Sequence, residues 1–419
     1  MGFASAWLES RSLFTELIKE TPDKNTGIIV VVPAFDEPEI NTLLDSLISC
    51  DKPNCVTEVL IIINAPPGAD RHTLENNIKS IKNINSWKKS HNPFFRLYIV
   101  DLGQSPVRQW GVGLARKAGL DEALRRYDYL DSPEGVIVNL DADCRVKEDY
   151  FLSLENDFLL KRERKACSIC FEHPLKGSEF PKEIYRSVAQ YELHLRYYYQ
   201  ALKYSGFPWV FHTVGSTIGV RASAYLKAGG MNRRRAGEDF YFIQKLVPAG
   251  GYFSLNSTMV YPSPRISSRV PFGTGLAISR MTSLNEQHFM TYNPLAFKDL
   301  RDFFSTIDDA FRNDDQELND LFDHLPESVK SFLDREEWLS RIGEIKKNTS
   351  GLQSFTKRFY FWFNMFKVVK YLNYVHKTIY KKLGTDFASI ELLRFRDMTD
   401  IPSGTIELLK LYRQLEKIC

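Results

Sequence analysis

The segment VIVNLDADCRV, residues 136–146, ends an apolar run in two aspartates one residue apart, Asp141 and Asp143. In an extended chain alternate side chains point the same way, so the pair can share one hard cation, Mg²⁺ or Mn²⁺, with a diphosphate. Capping a helix that starts near Val146 is the plainer use of the same carboxylates. Downstream, GGMNRRRAGEDFYF sets Glu238 and Asp239 at a predicted helix start. The helix dipole favours acids there, so capping is one use of the pair. Upstream, VVVPAFDE closes the first apolar run with Pro33, Phe35, Asp36 and Glu37, while GVGLARKAG spaces small residues so that a helix can approach a ligand closely. Arg116 in that segment can offer a fork to phosphate. Its neighbour Lys117 is expected to be solvated.

These residues need a scaffold. From residue 27 to about 171, β-branched apolar runs alternate with helix-patterned stretches. The predicted strands are GIIVVVP, EVLIIIN, FRLYIVD, GVIVNLD and ACSICFE. Helices are predicted near 40–48, 71–84, 107–127 and 147–162. Such alternation implies an α/β fold with a mainly parallel sheet and helices on both faces. Ligands then bind beyond the carboxyl ends of the strands, where Pro33 to Glu37, Asn64, Asp101 and Asp141 to Asp143 fall. A tyrosine-rich helix, a strand in TVGSTIGVR, a helix in GEDFYFIQKLV and a strand near STMVYP follow, and the rest is mostly helical. We expect an N-terminal helical extension over 1–26, the α/β domain over 27–290 and a mostly helical C-terminal region over 291–419.

Composition narrows the class. The chain of 419 residues has 43% apolar and 26% charged residues and a net charge of +3, which suits an ordinary folded protein and argues against nucleic acid as the partner. The N-terminus lacks a secretory pattern, and the apolar runs fall short of the roughly 20 residues that cross a bilayer. A cytoplasmic location is expected, with peripheral attachment at the inner face of the membrane as an option. The six cysteines are scattered. Cys167 and Cys170 read as strand residues rather than metal ligands, since no second pair stands at zinc spacing.

In their joint order these motifs resemble those of the GT-A nucleotide-sugar glycosyltransferases of the family 2 type, over roughly residues 27 to 265. The resemblance implies a nucleotide-sugar donor, a glycan or lipid-linked acceptor and metal-dependent, inverting transfer. Pro33, Phe35, Asp36 and Glu37 would frame the nucleoside, with Asp36 standing where Asn is usual. Asn64 stands where these enzymes commonly place an aspartate that reads uracil, which leaves the base open. Gly111, Ala115, Arg116 and Gly119 match the Gly-x-x-x-Ala-Arg-Asn-x-Gly pattern, with Lys117 in place of Asn. By the same resemblance Asp141 and Asp143 hold metal and diphosphate, and Asp239, beside Glu238, is the general base. A third metal ligand is not evident: His212 is a candidate or a core residue, and Arg265 or Arg269 could meet the diphosphate instead. For the acceptor, Trp209 and Arg235 are candidates, although the run Arg233 to Arg235 also reads as a surface turn.

Lys367, Lys370, Lys377 and Lys381 fall at helical spacings opposite Trp362, Phe366 and Val369. Residues 357–382 therefore suit either packing or contact with an anionic membrane. Two other activities fit parts of the pattern. A nucleotidyltransferase would also use paired aspartates, but a Gly-rich basic loop should follow its first strand, where this chain has PAFDEPE. A catalytically silent sugar- or nucleotide-binding protein would have no need of both acidic pairs.

Overall fold

The computed structural model describes residues 2–104, 111–232, 237–266, 273–283 and 288–417, which divide into two compact units. The first comprises 1–177 and 213–276, and the second 178–212 and 277–419.

The first unit is built on an eight-stranded sheet: β1 (Thr26–Ala34), β2 (Val56–Ala65), β3 (Arg96–Gln104), β4 (Val136–Asn139), β5 (Arg145–Val146), β6 (Ala166–Phe171), β7 (Ile218–Arg221) and β8 (Tyr252–Tyr261). The spatial order is β3-β2-β1-β4-β7-β6-β8-β5. Pairs β1/β2, β1/β4, β2/β3 and β6/β8 are parallel, whereas β7 runs antiparallel to β4 and β6, and β5 to β8. The sheet is thus mainly parallel, as expected. Every residue of β1 is buried, so both of its faces are covered, and the near-continuous apolar run of the sequence follows from that.

The helices are α1 (Ser5–Arg11), α2 (Asn41–Ile48), α3 (Arg71–His91), α4 (Val112–Tyr129), α5 (Tyr150–Leu154), α6 (Lys182–Tyr204), α7 (Ala222–Lys227) and α8 (Glu238–Leu246). The helix expected over 147–162 is shorter, beginning at Tyr150 and passing into a π-helical turn over Glu155–Leu159. The tyrosine-rich α6 belongs to the second unit, with α9 (Thr274–Ser283), α10 (Pro294–Ser305), α11 (Ile307–Arg312), α12 (Asp315–Asp323), α13 (Glu327–Phe332), α14 (Arg335–Lys347), α15 (Leu352–Trp362), α16 (Met365–Thr378), α17 (Thr385–Arg394) and α18 (Thr405–Lys417) following. That unit also holds a two-stranded antiparallel ladder of β9 (Met290–Thr291) and β10 (Leu383–Gly384).

Helix α4 carries the site and is buried nearly all round. Its inner face meets the sheet so closely that a Cβ on Gly119 would lie 2.3 Å from Val31 Cγ1 and 2.9 Å from Ile62 Cγ1. On its outer face lies the N-terminal segment. Glu122 accepts from the Leu17 and Ile18 N–H groups, Asp128 accepts from the Ala4 N–H and the Ser5 hydroxyl, and Arg126 donates to the Glu20 carbonyl (2.9 Å). Lys117 is not solvated, contrary to expectation. It is buried, pairs with Asp121 at 2.8 Å and lies over the Trp7 ring, so burying the helix consumes its charge locally. Residues predicted as a helical extension thereby become the cover of α4.

Because the Val31 wall is a strand interior, Gly119→Ala should overpack this contact and destabilise the fold by about 1–3 kcal/mol. Chemical denaturation would show it as a lower midpoint with an unchanged slope.

Candidate active site

The chain runs outward from β1 to β2 and β3, then returns to β4 on the other side of β1. The crevice beyond the carboxyl ends of β1 and β4 is therefore the switch point, where open α/β sheets bind ligands. The β1–β4 ladder ends at Val31 and Asn139, with the Leu140 N–H donating to the Val31 carbonyl at 3.0 Å. Pro33, two residues on, faces the side that β4 has already left, so its missing N–H costs no ladder bond.

Beyond Pro33 the chain turns, with Asp36 at φ 54°, a left-handed conformation that aspartate tolerates better than most residues. Three residues on one face of α3 hold this turn. Asn76 Nδ2 donates to Asp36 Oδ1 (2.6 Å), the Asp36 N–H donates to Asn77 Oδ1 (3.0 Å), and the Ser80 hydroxyl donates to the Glu37 carbonyl (2.8 Å). Asn77 Nδ2 also donates to the Asn64 carbonyl (3.0 Å), and Asn64 Nδ2 donates to the Gly111 carbonyl (3.4 Å). Asn64 is 2% exposed, Glu37 is buried, and Phe35 and Asp36 are half-buried. Asp101 is exposed and accepts from the Gly103 N–H.

Two arginines organise the carboxylates. Arg265, just past β8, donates from Nε to Asp143 Oδ2 at 2.7 Å and from Nη1 to Glu37 Oε2 at 2.8 Å, and its Nη2 meets Glu37 Oε1. Burial works against its charge, but the two carboxylates more than offset this and hold it above its ordinary value. Arg116, from α4, donates through Nη2 to Asp141 Oδ1 at 2.5 Å and through Nη1 to Glu238 Oε1. It lies against Gly215, where a Cβ would fall 2.5 Å from Nη1 and 2.6 Å from Nη2, so glycine leaves the guanidinium its place.

The local shape of the aspartate pair differs from the extended chain expected. Asp141 to Cys144 is a turn closed by the Cys144 N–H on the Asp141 carbonyl (3.1 Å), and β5 follows, so neither aspartate caps a helix there. Asp141 is drawn to Arg116 and Asp143 to Arg265. Both carboxylates are partly exposed, at 34% and 26% of the side chain, and an all-oxygen donor pair suits a hard dication. Among the described residues no three His, Cys, Asp or Glu side chains gather to hold a metal ion.

Helix α8 starts after Gly237, at φ 74°, and its first two residues differ in environment. Glu238 is 1% exposed and is engaged by Arg116. Asp239 is half-buried, accepts from the Phe240 N–H at 2.7 Å, and its carboxyl is pushed up to about 6 by burial and by the Glu238 charge, against the pull of Arg116. An acid with such a value can hold or release a proton near neutral pH.

Trp209 and His212 lie in the second unit. Trp209 packs against Phe207, Tyr360 and Phe361, while His212 stacks on Tyr199 and meets Glu416 at 3.0 Å. Arg233, Arg234, Arg235 and Arg269 lie outside the described residues. Sequence reasoning missed Asn76, Asn77 and Ser80, although their spacing of one and three marks a single helix face. It also missed Gly215, whose need appears only once Arg116 is placed.

The sequence matches no family model and no curated protein. Solved structures do match. S. aureus TarS residues 1–349 with UDP-GlcNAc is 14% identical, with 78% of this chain and 89% of that one covered and a TM-score of 0.40. The mannosyltransferase PcManGT of Pyrobaculum calidifontis with GDP-Man and Mn²⁺ is 15% identical, covering 99% and 92%, with a TM-score of 0.37. Glucosyl-3-phosphoglycerate synthase of Mycobacterium tuberculosis with Mn²⁺, UDP-Glc and phosphoglyceric acid is 16% identical, covering 56% and 71%, with a TM-score of 0.34.

The raised Asp239 value sets a pH test. Its folded value of about 6 exceeds the ordinary 3.8, so its contribution to stability is complete below about pH 4 and is lost as pH rises to about 6. Asp239→Asn should therefore gain stability relative to the parent between pH 4 and 6 and hold that gain above. A flat difference across denaturation curves in this range would show that the carboxyl is not displaced.

Proposed function

We propose that the chain is a metal-dependent glycosyltransferase of the inverting kind, moving a sugar from a nucleotide donor to a hydroxyl of a glycan or lipid-linked acceptor. The observation that carries this reading is the gathering, at one switch point, of Glu37, Asp141 and Asp143 with Arg116 and Arg265, and of a carboxyl poised near neutral pH on the same Arg116 network.

In this reading Pro33, Phe35, Asp36 and Glu37 frame the nucleoside. Asn64 offers both a donor and an acceptor toward the base, and Gly111 lets the donor lie close to α4. Asp141 and Asp143 would hold Mg²⁺ or Mn²⁺, which neutralises charge on the departing diphosphate. Arg265 is the nearer protein cation for the same charge and exchanges its hold on Asp143 for phosphate oxygens. Asp239 takes the proton from the acceptor hydroxyl. That oxygen bonds to the anomeric carbon from the face opposite the nucleotide, and the bond from that carbon to the β-phosphate oxygen breaks with its electron pair leaving on the diphosphate. Attack from the opposite face inverts the carbon. Arg116 keeps Glu238 in place, and burial together with the Glu238 charge raises the basicity of Asp239. Trp209 and Arg235 remain the acceptor-side candidates, and we assign the chemistry to 27–290, with 1–26 as its cover and 291–419 as a helical region.

The first test is a thermal-shift screen of nucleoside diphosphates with and without Mn²⁺, since a ligand of the folded state raises its stability. Asp143→Asn should remove the Mn²⁺-dependent part of the shift and leave the apoprotein melting point within a few degrees. Asp239→Asn should lower transfer by about 10²- to 10⁴-fold, the range for a positioned base, with nucleoside diphosphate affinity unchanged. Normal transfer by that variant would remove Asp239 from the mechanism. Donor binding without transfer or hydrolysis by the parent would favour a silent binding protein.

A further inference from the structure

In the second unit, two exposed residue types that seldom cluster lie together. Ten large apolar side chains are exposed among the described residues, and five of them, Met290, Leu295, Tyr374, Ile379 and Phe387, fall within the elements that meet around the C-terminal end of α16. The neighbourhood is fixed by bonds rather than by sequence. Met290 on β9 pairs with Gly384 on β10, the Tyr292 hydroxyl donates to Asn373 on α16 (3.1 Å), and the Asn293 N–H donates to His376 (2.7 Å). Asn293 Nδ2 reaches the Lys381 carbonyl at 3.4 Å, and the Lys382 ammonium lies over the Tyr292 ring.

The charge there is of one sign. Lys370, Lys377, Lys381 and Lys382 are exposed and have no carboxylate within ion-pair distance among the described residues. Lys370, Tyr374 and Lys377 follow at intervals of four and three, so one face of α16 sets a ring between two cations, and Lys381 and Lys382 follow past the helix end. The nearby acids are turned inward and occupied. Asp299 accepts from Ser328 and Tyr380, and Asp386 accepts from Gln190 and Thr405. The helical stripe expected from the sequence is corrected at Lys367, at Lys381, which lies past the end of α16, and at Trp362 on the opposite face. Lys367 instead lies over Trp362 and pairs with Glu337, and Trp362 belongs to α15, ahead of a break at Asn364.

We propose that this face is a peripheral docking surface for an anionic phospholipid bilayer. Lysines without a carboxylate partner answer the charge of the lipid headgroups, and exposed Ile379, Phe387 and Met290 enter the headgroup boundary while the lysine stems keep their ammonium groups at the phosphates. No helix among the described residues is long and apolar enough to cross a membrane. A soluble polyanion would use the lysines but gain nothing from the apolar side chains, which is why the bilayer is the occupant. The proposal does not depend on the reaction assigned to the first unit.

The test is flotation of the full chain with vesicles of phosphatidylcholine alone and of phosphatidylcholine with about one third phosphatidylglycerol, at about 50 mM and about 500 mM salt. We expect flotation only with the anionic vesicles, weakening as salt rises. The combined change K377E, K381E and K382E should lower the partition coefficient at least ~10-fold, since each cation near such a surface contributes about fivefold. Lys381 and Lys382 lie past the helix end, so K381E with K382E alone provides a second variant that leaves α16 intact, and an unchanged melting point certifies the fold of each. Ile379→Ser should lower flotation without changing retention on soluble polyphosphate. The proposal is overturned by no flotation at low salt, by equal flotation on neutral vesicles, by charge-reversed protein that floats like the parent, or by polyphosphate binding that Ile379→Ser leaves untouched together with flotation.

Discussion

The buried guanidinium of Arg116 is the constraint on which the candidate site depends. A charge that is 5% exposed persists only when it is paired, and here Nη2 is answered by Asp141, after β4, and Nη1 by Glu238, at the start of α8, while Nε has no hydrogen-bond partner among the described residues. Segments about a hundred residues apart in the chain are thereby joined at one point. Truncating one partner of such a pair typically costs about 3–5 kcal/mol, because the other is left charged and buried. The position of Arg116 in turn requires two glycines, Gly119 so that α4 can lie on β1 and Gly215 so that the guanidinium has room. It also requires the N-terminal segment, which satisfies the polar groups on the outer face of α4.

Arg265 makes a second, weaker version of the same device. It ties Glu37, after β1, to Asp143, after β4, and so spans the switch point from side to side. Its side chain is 26% exposed, against 6% for Arg116, so water screens its ion pairs more and rearranging them costs less. A dication and a diphosphate entering the crevice would compete for the Arg265 contacts before those of Arg116. The site thus pairs a fixed cation with an exchangeable one.

Much of this was legible in the sequence. The strand runs stood out because a parallel sheet buried on both faces leaves no polar alternation, and all five predicted strands of the α/β region appear in the structure. Antiparallel β7 was visible as a strand, but its direction was not, since periodicity carries no information about pairing. Asp141, Asp143, Glu238 and Asp239 were found by type and spacing. What escaped was tertiary: the turn at Asp141 that breaks the extended geometry, the arginine bridges and the asparagine face of α3. Lys117 was misread because a lysine at helical spacing looks solvated until the N-terminal segment is folded over it.

Glu238 and Asp239 show how far identical chemistry can be separated by one residue of helix. A rotation of about 100° about the helix axis turns Glu238 into the protein, where it meets Arg116, and leaves Asp239 half-buried beside it. Asp239 is made more basic by burial first and by the Glu238 charge second. The two neighbouring acids thus differ in environment rather than in residue chemistry: one bonds the buried cation, and the other is removed from water without such a bond. Arg116 itself pulls the Asp239 value down without bonding to it, so the raised basicity is what burial and the Glu238 charge leave after that pull.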